Sequence, residues 1–161
     1  MKWHKCFLFP LLFLFTCKAV ADDLNDGFLK LSENKPEEAI QLWTPLAEAG
    51  DKVAQASLGL LFQTGQGTEI DFIRALELFR ASAKQGYPFA FTALGNSYHE
   101  GLGVKEDRRT ALIWFLLGAE HDPNSAFMAQ ALMTEIPEKE VHLLIQKALA
   151  CQKSSYLKCN F

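Results

Sequence analysis

The chain has 161 residues, of which 49% are hydrophobic and 22% charged, and 16 lysines and arginines face 19 aspartates and glutamates for a net charge of −3. That length holds one ordinary domain or three to four short repeats. The mildly acidic balance, with no block of like charge, argues against a nucleic-acid partner, which needs a basic footprint, and against adhesion to an anionic membrane surface.

At the N-terminus, Lys2 and Lys5 precede an apolar run from Phe7 to Phe15 broken only by Pro10, and Ala19-Val20-Ala21 follows. A positive start, a short apolar stretch and an A-x-A site predict a secretory signal peptide over residues 1–21, with the mature chain starting at Asp22. The stretch is shorter than the ~20 residues a membrane span requires, and Lys18 interrupts it. Leu14-Phe15-Thr16-Cys17 faintly resembles a bacterial lipoprotein box, so the alternative is an envelope component held by lipid at Cys17, although Phe15 and Thr16 fit that box poorly. Cleavage takes Lys2, Lys5 and Lys18 from the 16 basic residues, which leaves 13 against 19 acidic residues and a net charge of −6.

After Asp22 a degenerate unit over residues 22–50 is expected, with helices from Asp22 through Asn34 and from Pro36 to Ala49. Pro36 followed by Glu37 and Glu38 makes a good first turn. Its Gly27 and Ala39 are 12 residues apart, against 16 between Gly59 and Ala75 in the next unit, so the loop between its helices is shorter. Trp43, Ala47 and Gly50 nevertheless stand 36 residues before Phe79, Ala83 and Gly86.

Residues 51–86 and 87–122 are the clear copies. Ala54, Leu58, Gly59, Phe62, Gly65, Gly67, Asp71, Ala75, Leu78 and Ala83 recur 36 residues later as Ala90, Leu94, Gly95, Tyr98, Gly101, Gly103, Asp107, Ala111, Trp114 and Ala119. Each copy reads as two helices. Gly65 and Gly101 are expected to end the first helix in a left-handed cap, Gly67 and Gly103 to turn the loop, and Asp71 and Asp107 to cap the second helix. A glycine inside a helix costs roughly 1 kcal/mol against alanine, so Gly59 and Gly95 imply close packing of a neighbour, with Ala75 and Ala111 as the facing small residues. Phe62, Phe79, Tyr98, Trp114 and Phe115 are assigned to the core.

In residues 123–161, Ala126 stands 36 residues after Ala90 and Ala131 replaces Gly95, while the Gly-x-Gly loop is missing. Pro137 opens a last helix with Val141, Leu144, Ile145, Ala148 and Leu149 on its apolar side. Once the leader is removed, Cys151 and Cys159 are the remaining cysteines, and one pair in an exported protein reads as a disulfide. It would pin the tail to the last helix. Two thiols without a nearby histidine make a poor zinc site.

The run A-x3-L-G-x2-Y-x2-G-x-G-V-x2-D-x3-A-x2-W-x4-A from Ala90 to Ala119 resembles the Sel-1-like repeat, a relative of the tetratricopeptide repeat. The resemblance covers nearly the whole mature chain. It implies an all-α fold, a right-handed α/α superhelix of about four helix pairs, and a role in protein–protein contacts with no cofactor. Exported bacterial relatives are implicated in envelope assembly, signalling and host interaction. The cysteines inside each repeat of the cysteine-rich subgroup, some of whose members are described as β-lactamases or penicillin binders, are missing here.

In such stacks the first helix of each pair lines the concave face. Counted from Gly59 and Gly95, the inward residues are Val53, Ala56, Leu60 and Gln63, then Phe89, Thr92, Asn96 and His99, with Ser125, Met128 and Leu132 continuing the groove. The expected partner-binding set is Leu60, Gln63, Phe89, Thr92, Asn96, His99 and Met128. Its ligand would be a protein or peptide held by a monomer. The lysines of a carboxylate clamp are absent nearby, so recognition of a free peptide C-terminus is not supported.

Catalytic alternatives are weaker. Ser32-x-x-Lys35 and Ser155-x-x-Lys158 match the minimum of a penicillin-recognising serine hydrolase, yet neither is followed by the S-D-N and K-T-G elements of that site. No two histidines have metal-ligand spacing, and no phosphate loop or nucleophile elbow occurs. The reading is a binding module without catalytic or metal residues.

Overall fold

The structure, a computed structural model, describes residues 16–156 and Cys159, with side chains from residue 23 onward. Most of the predicted signal peptide, residues 1–15, and Lys158 lie outside the described residues, as do the side chains of residues 16–22, Cys17 among them. Among the described residues the chain is all-helical: α1 (Thr16–Ser32), α2 (Pro36–Glu48), α3 (Lys52–Thr64), α4 (Phe72–Ala83), α5 (Pro88–Glu100), α6 (Arg108–Gly118), α7 (Pro123–Glu135) and α8 (Glu138–Lys153). The first helix thus begins ahead of Asp22.

Successive helices stack on one another: α1 on α2, α3 on α4 and α5 on α6 within pairs, and α2 on α3, α4 on α5 and α6 on α7 between them. The last pair differs, because α8 lies against α6. One continuous core runs through the stack, and Phe62, Phe79, Tyr98, Trp114 and Phe115 are all buried in it, as expected.

The loops form as their sequence requires. Gly65 and Gly101 end α3 and α5 at φ 70° and 73°, where a side chain would be strained. Gly67 and Gly103 (φ 70° and 71°) have a second task. A Cβ at Gly67 would meet the backbone of Glu37, and one at Gly103 that of Phe72, so each loop seats on the start of the second helix in the preceding pair. Asp71 accepts the Arg74 N–H, and Asp107 accepts those of Arg109 and Thr110.

The interior glycines work otherwise than expected. A Cβ on Gly59 would lie 2.6 Å from the Phe79 ring and one on Gly95 2.5 Å from Phe115, so a ring from the second helix, and not a neighbouring backbone, is the nearest group to each glycine. Gly27 holds Trp43 in the same way, and the Trp43 indole N–H donates to the Leu24 carbonyl at 3.1 Å. An aromatic ring at the crossing brings a large apolar surface into the core.

The 36-residue register fails at α7. Ala126 is exposed, whereas Ser125, Ala129 and Leu132 are buried. These stand 35 residues after Ala90, Leu94 and Ser97, and Pro123 opens α7 as Pro88 opens α5. A one-residue slip turns a helix by about 100°. It carries Ser125 and Leu132 out of the expected groove into the core and leaves Met128 half-buried against it. Asp122-Pro123 is accordingly the start of a helix, with Asp122 accepting from Asn124 and Ser125.

Cys151 and Cys159 form a disulfide. The tail it closes reaches beyond the last helix, because the Tyr156 ring lies 4.9 Å from that of Phe91 and against Gly86. Ion pairs from Arg108 to Glu135 and from Arg109 to Glu140 tie α6 to α7 and α8.

The glycine–ring crossing predicts that Gly95→Ala destabilises the fold by about 1–2 kcal/mol in chemical denaturation, since overpacking a buried ring outweighs the roughly 1 kcal/mol gained in helix propensity. Gly95→Ala with Phe115→Leu should recover part of the loss relative to Phe115→Leu alone.

Candidate functional site

The helices α1, α3 and α5 each contribute one large, partly exposed apolar side chain to the same face. Phe28, Leu60 and Phe89 are 44%, 38% and 41% exposed. With Ala56, Ser57 and Tyr87 they line a hollow of about 170 Å³. Phe28 is held edge-on to Trp43 with centroids 4.9 Å apart, and Phe89 rests at 6.3 Å on Phe79. The rings that fill the glycine crossings thus also brace the rings at the surface.

Across Phe89 lies a second hollow of about 390 Å³, lined by Pro88, Phe89, Thr92, His121, Asp122 and Asn124. Here the chain has built a polar network. The Thr92 hydroxyl is 3.0 Å from Asp122 Oδ2 and 2.7 Å from the Ser125 hydroxyl, while Asp122 also accepts the Asn124 and Ser125 N–H groups. The close approach is possible because Gly118 leaves room for Ser125. Burial opposes the charge on Asp122, yet the hydrogen bonds from Asn124, Thr92 and Ser125 prevail and hold its carboxyl below the usual range.

Of the residues expected at the site, Leu60 and Phe89 meet in the first hollow, and Phe89 and Thr92 border the second. The Thr92 hydroxyl is already engaged within the chain. Gln63, Asn96 and His99 are half-buried on α3 and α5 and line neither hollow. His99 has its Nδ1 buried, and its ring stands at 6.5 Å from Phe115. Met128 points toward the core, and the slip in α7 puts Phe127, 72% exposed, at the position equivalent to Thr92.

Phe28 and Tyr87 were not singled out in the sequence. A signal for Phe28 existed: the shorter first loop places Gly27 32 residues before Gly59, and the same offset sets Phe28 on Leu60. Tyr87 gives no such signal, since it is simply the residue before Pro88.

Nothing arranges Ser32 for catalysis. Its hydroxyl donates to the Leu29 carbonyl at 2.7 Å, and Lys35 is engaged with Glu33 and Glu38. Of the second S-x-x-K pair, Lys158 is outside the described residues. No cluster of His, Cys, Asp or Glu able to hold a metal occurs among the described residues.

A model of the Sel1 repeat matches residues 25–51, 52–87 and 92–123. An uncharacterized protein of Neisseria meningitidis serogroup B is 34% identical over 145 residues, covering 70% of this chain and 31% of that protein. HRD3A of Arabidopsis thaliana, an ERAD-associated E3 ubiquitin-protein ligase component, is 32% identical over 79 residues, or 49% of this chain and 12% of its own. The chain therefore spans a third or less of these relatives. Among solved structures, c5321, a protective antigen of uropathogenic Escherichia coli strains with an SLR fold, superposes with a TM-score of 0.75 at 25% identity, covering 85% of this chain and 31% of that one. A Sel1 repeat protein from Oxalobacter formigenes superposes with a TM-score of 0.62 at 29% identity, covering 73% and 50%.

The polar network yields a pH-dependent expectation. Asp122→Ala should cost about 1–2 kcal/mol at pH 7, the usual effect of losing a helix cap. Because the folded carboxyl titrates below the unfolded one, the charge-dependent part of this contribution is complete above the ordinary carboxylate range near pH ~4 and fades as acidification protonates the folded group. The stability gap between the two proteins should be constant above that range and narrow on its acid side.

Proposed function

The chain belongs to the Sel1 repeat family, and from that premise we propose that it is an exported scaffold holding a protein partner along the face built by α1, α3 and α5. Members of the family are typically protein–protein interaction scaffolds. One observation carries the choice of face: three consecutive helix pairs leave Phe28, Leu60 and Phe89 side by side and partly exposed around one hollow. A fold that buries Trp43, Phe79 and Phe115 completely can bury large apolar groups, and contiguous exposed ones mark an interaction site.

Export rests on the leader pattern of residues 1–21 and agrees with the Cys151–Cys159 disulfide, a bond that persists in oxidising compartments. No described helix is long and apolar enough to cross a membrane. The scaffold is assigned to the bacterial periplasm or the cell exterior, with a role in envelope assembly, signalling or host contact. The Escherichia coli neighbour is a protective antigen, which favours a place where a host meets it.

A photoreactive residue placed at Phe89 should crosslink a partner protein in cells producing the chain, whereas the same residue at exposed Gln146 on α8 should not; equal yields from both would sink the choice of face. Mass spectrometry of the exported protein should find Asp22 at its N-terminus. A lipidated Cys17 would instead make it an anchored envelope component.

A further inference from the structure

The two hollows share one wall, the Phe89 ring, and differ in chemistry on its two sides. The smaller is lined by uncharged side chains, three of them aromatic. The larger contains the Asp122 carboxylate, and no lysine or arginine lines either one. Asp122 uses its oxygens unequally. Oδ2 has three donor groups within hydrogen-bonding distance, the Thr92 hydroxyl and the Ser125 N–H and hydroxyl, which is more than it can accept at once, whereas Oδ1 accepts from the Asn124 N–H at 3.1 Å. A carboxylate oxygen has two acceptor directions, so Oδ1 keeps one for a donor entering the hollow.

Resting on the assignment of this face as the binding face, we propose that its occupant is an extended segment of a partner protein bearing an apolar side chain and, two residues later, a lysine or arginine. The apolar side chain enters the hollow between Phe28, Leu60 and Phe89. The basic one passes over Phe89 to Asp122. In an extended chain residues i and i+2 point the same way about 7 Å apart, which suits two adjacent hollows divided by one ring. A volume of about 170 Å³ admits a single Leu- or Phe-sized side chain. The Phe89 face adds cation–π attraction for the passing cation.

Charge selects this occupant over others. A phosphate-bearing ligand would meet the Asp122 carboxylate and no lysine or arginine in either hollow. The mature chain, at −6, draws basic partners over longer range. A second copy of the chain fits poorly, because its described residues are almost entirely helical and residues two apart on a helix diverge.

Random twelve-residue peptides displayed on phage, panned against the purified exported chain, provide the test, with affinities of the selected peptides read by fluorescence anisotropy. Enriched peptides should share the apolar-x-basic pattern. Leu60→Glu should weaken them at least about tenfold, as expected for loss of a buried apolar anchor. Asp122→Asn, which keeps a capable cap, should weaken them about fivefold, and only when the basic residue is present. Should Asp122→Asn fail to fold, replacing the peptide lysine by glutamine gives the same measurement. Peptides abolished by Leu60→Glu but acidic, or indifferent to Asp122→Asn, would overturn the occupant and leave the binding face standing. Peptides insensitive to both Leu60→Glu and Phe89→Ala would overturn the face as well. A library that yields no enrichment would overturn the extended segment as occupant.

Discussion

Where the two helices of a pair cross, a ring from the second lies on the bare backbone of a glycine in the first: Trp43 on Gly27, Phe79 on Gly59, Phe115 on Gly95. The ring sets how closely the helices approach and in what register, and it is fully buried in each case. Much else follows from that distance. The Gly-x-Gly loop of 65–67 or 101–103 can then reach the preceding pair, which makes pairing within a unit and stacking between units depend on each other. A closely packed interior of this kind tolerates little change in volume.

The same crossings also shape the exposed face. Phe28 leans on Trp43 and Phe89 on Phe79, so the surface aromatics are held by the core rings and keep a fixed spacing along the stack. A hollow formed in this way is preorganised, and an occupant need not pay to order its walls. Toward the C-terminus the pattern changes character. Between α5 and α7 the junction is polar, with Thr92, Asp122 and Ser125 bonded to one another, and the tail returns to place Tyr156 over Phe91. Beyond α6 the described helices are tied in by hydrogen bonds, ion pairs from α6 and a disulfide.

Much of the fold was legible because its signals are local. A left-handed glycine after a helix and an aspartate before one act within a few residues, so Gly65, Gly101, Asp71 and Asp107 could be assigned from their neighbours alone. The walls of the first hollow were legible only where the period held. Leu60 and Phe89 follow from the repeat; Phe28 was hidden by a shift of four residues in the first unit, and the exposed position of Phe127 by a slip of one in the last. Either change keeps the composition of the helix and alters which side chains face the core.

By itself, the sequence determined the helical repeat, its caps and turns, its family and the mildly acidic surface, because each depends on residue type and spacing along the chain. Tertiary structure decided which group fills each glycine notch, which residues of α7 turn inward, and how the Thr92 hydroxyl is used. Those outcomes depend on contacts between residues far apart in the chain, where a rotation of about 100° exchanges a core position for an exposed one. The hollows on either side of Phe89 belong to that second group, since each takes its walls from more than one helix.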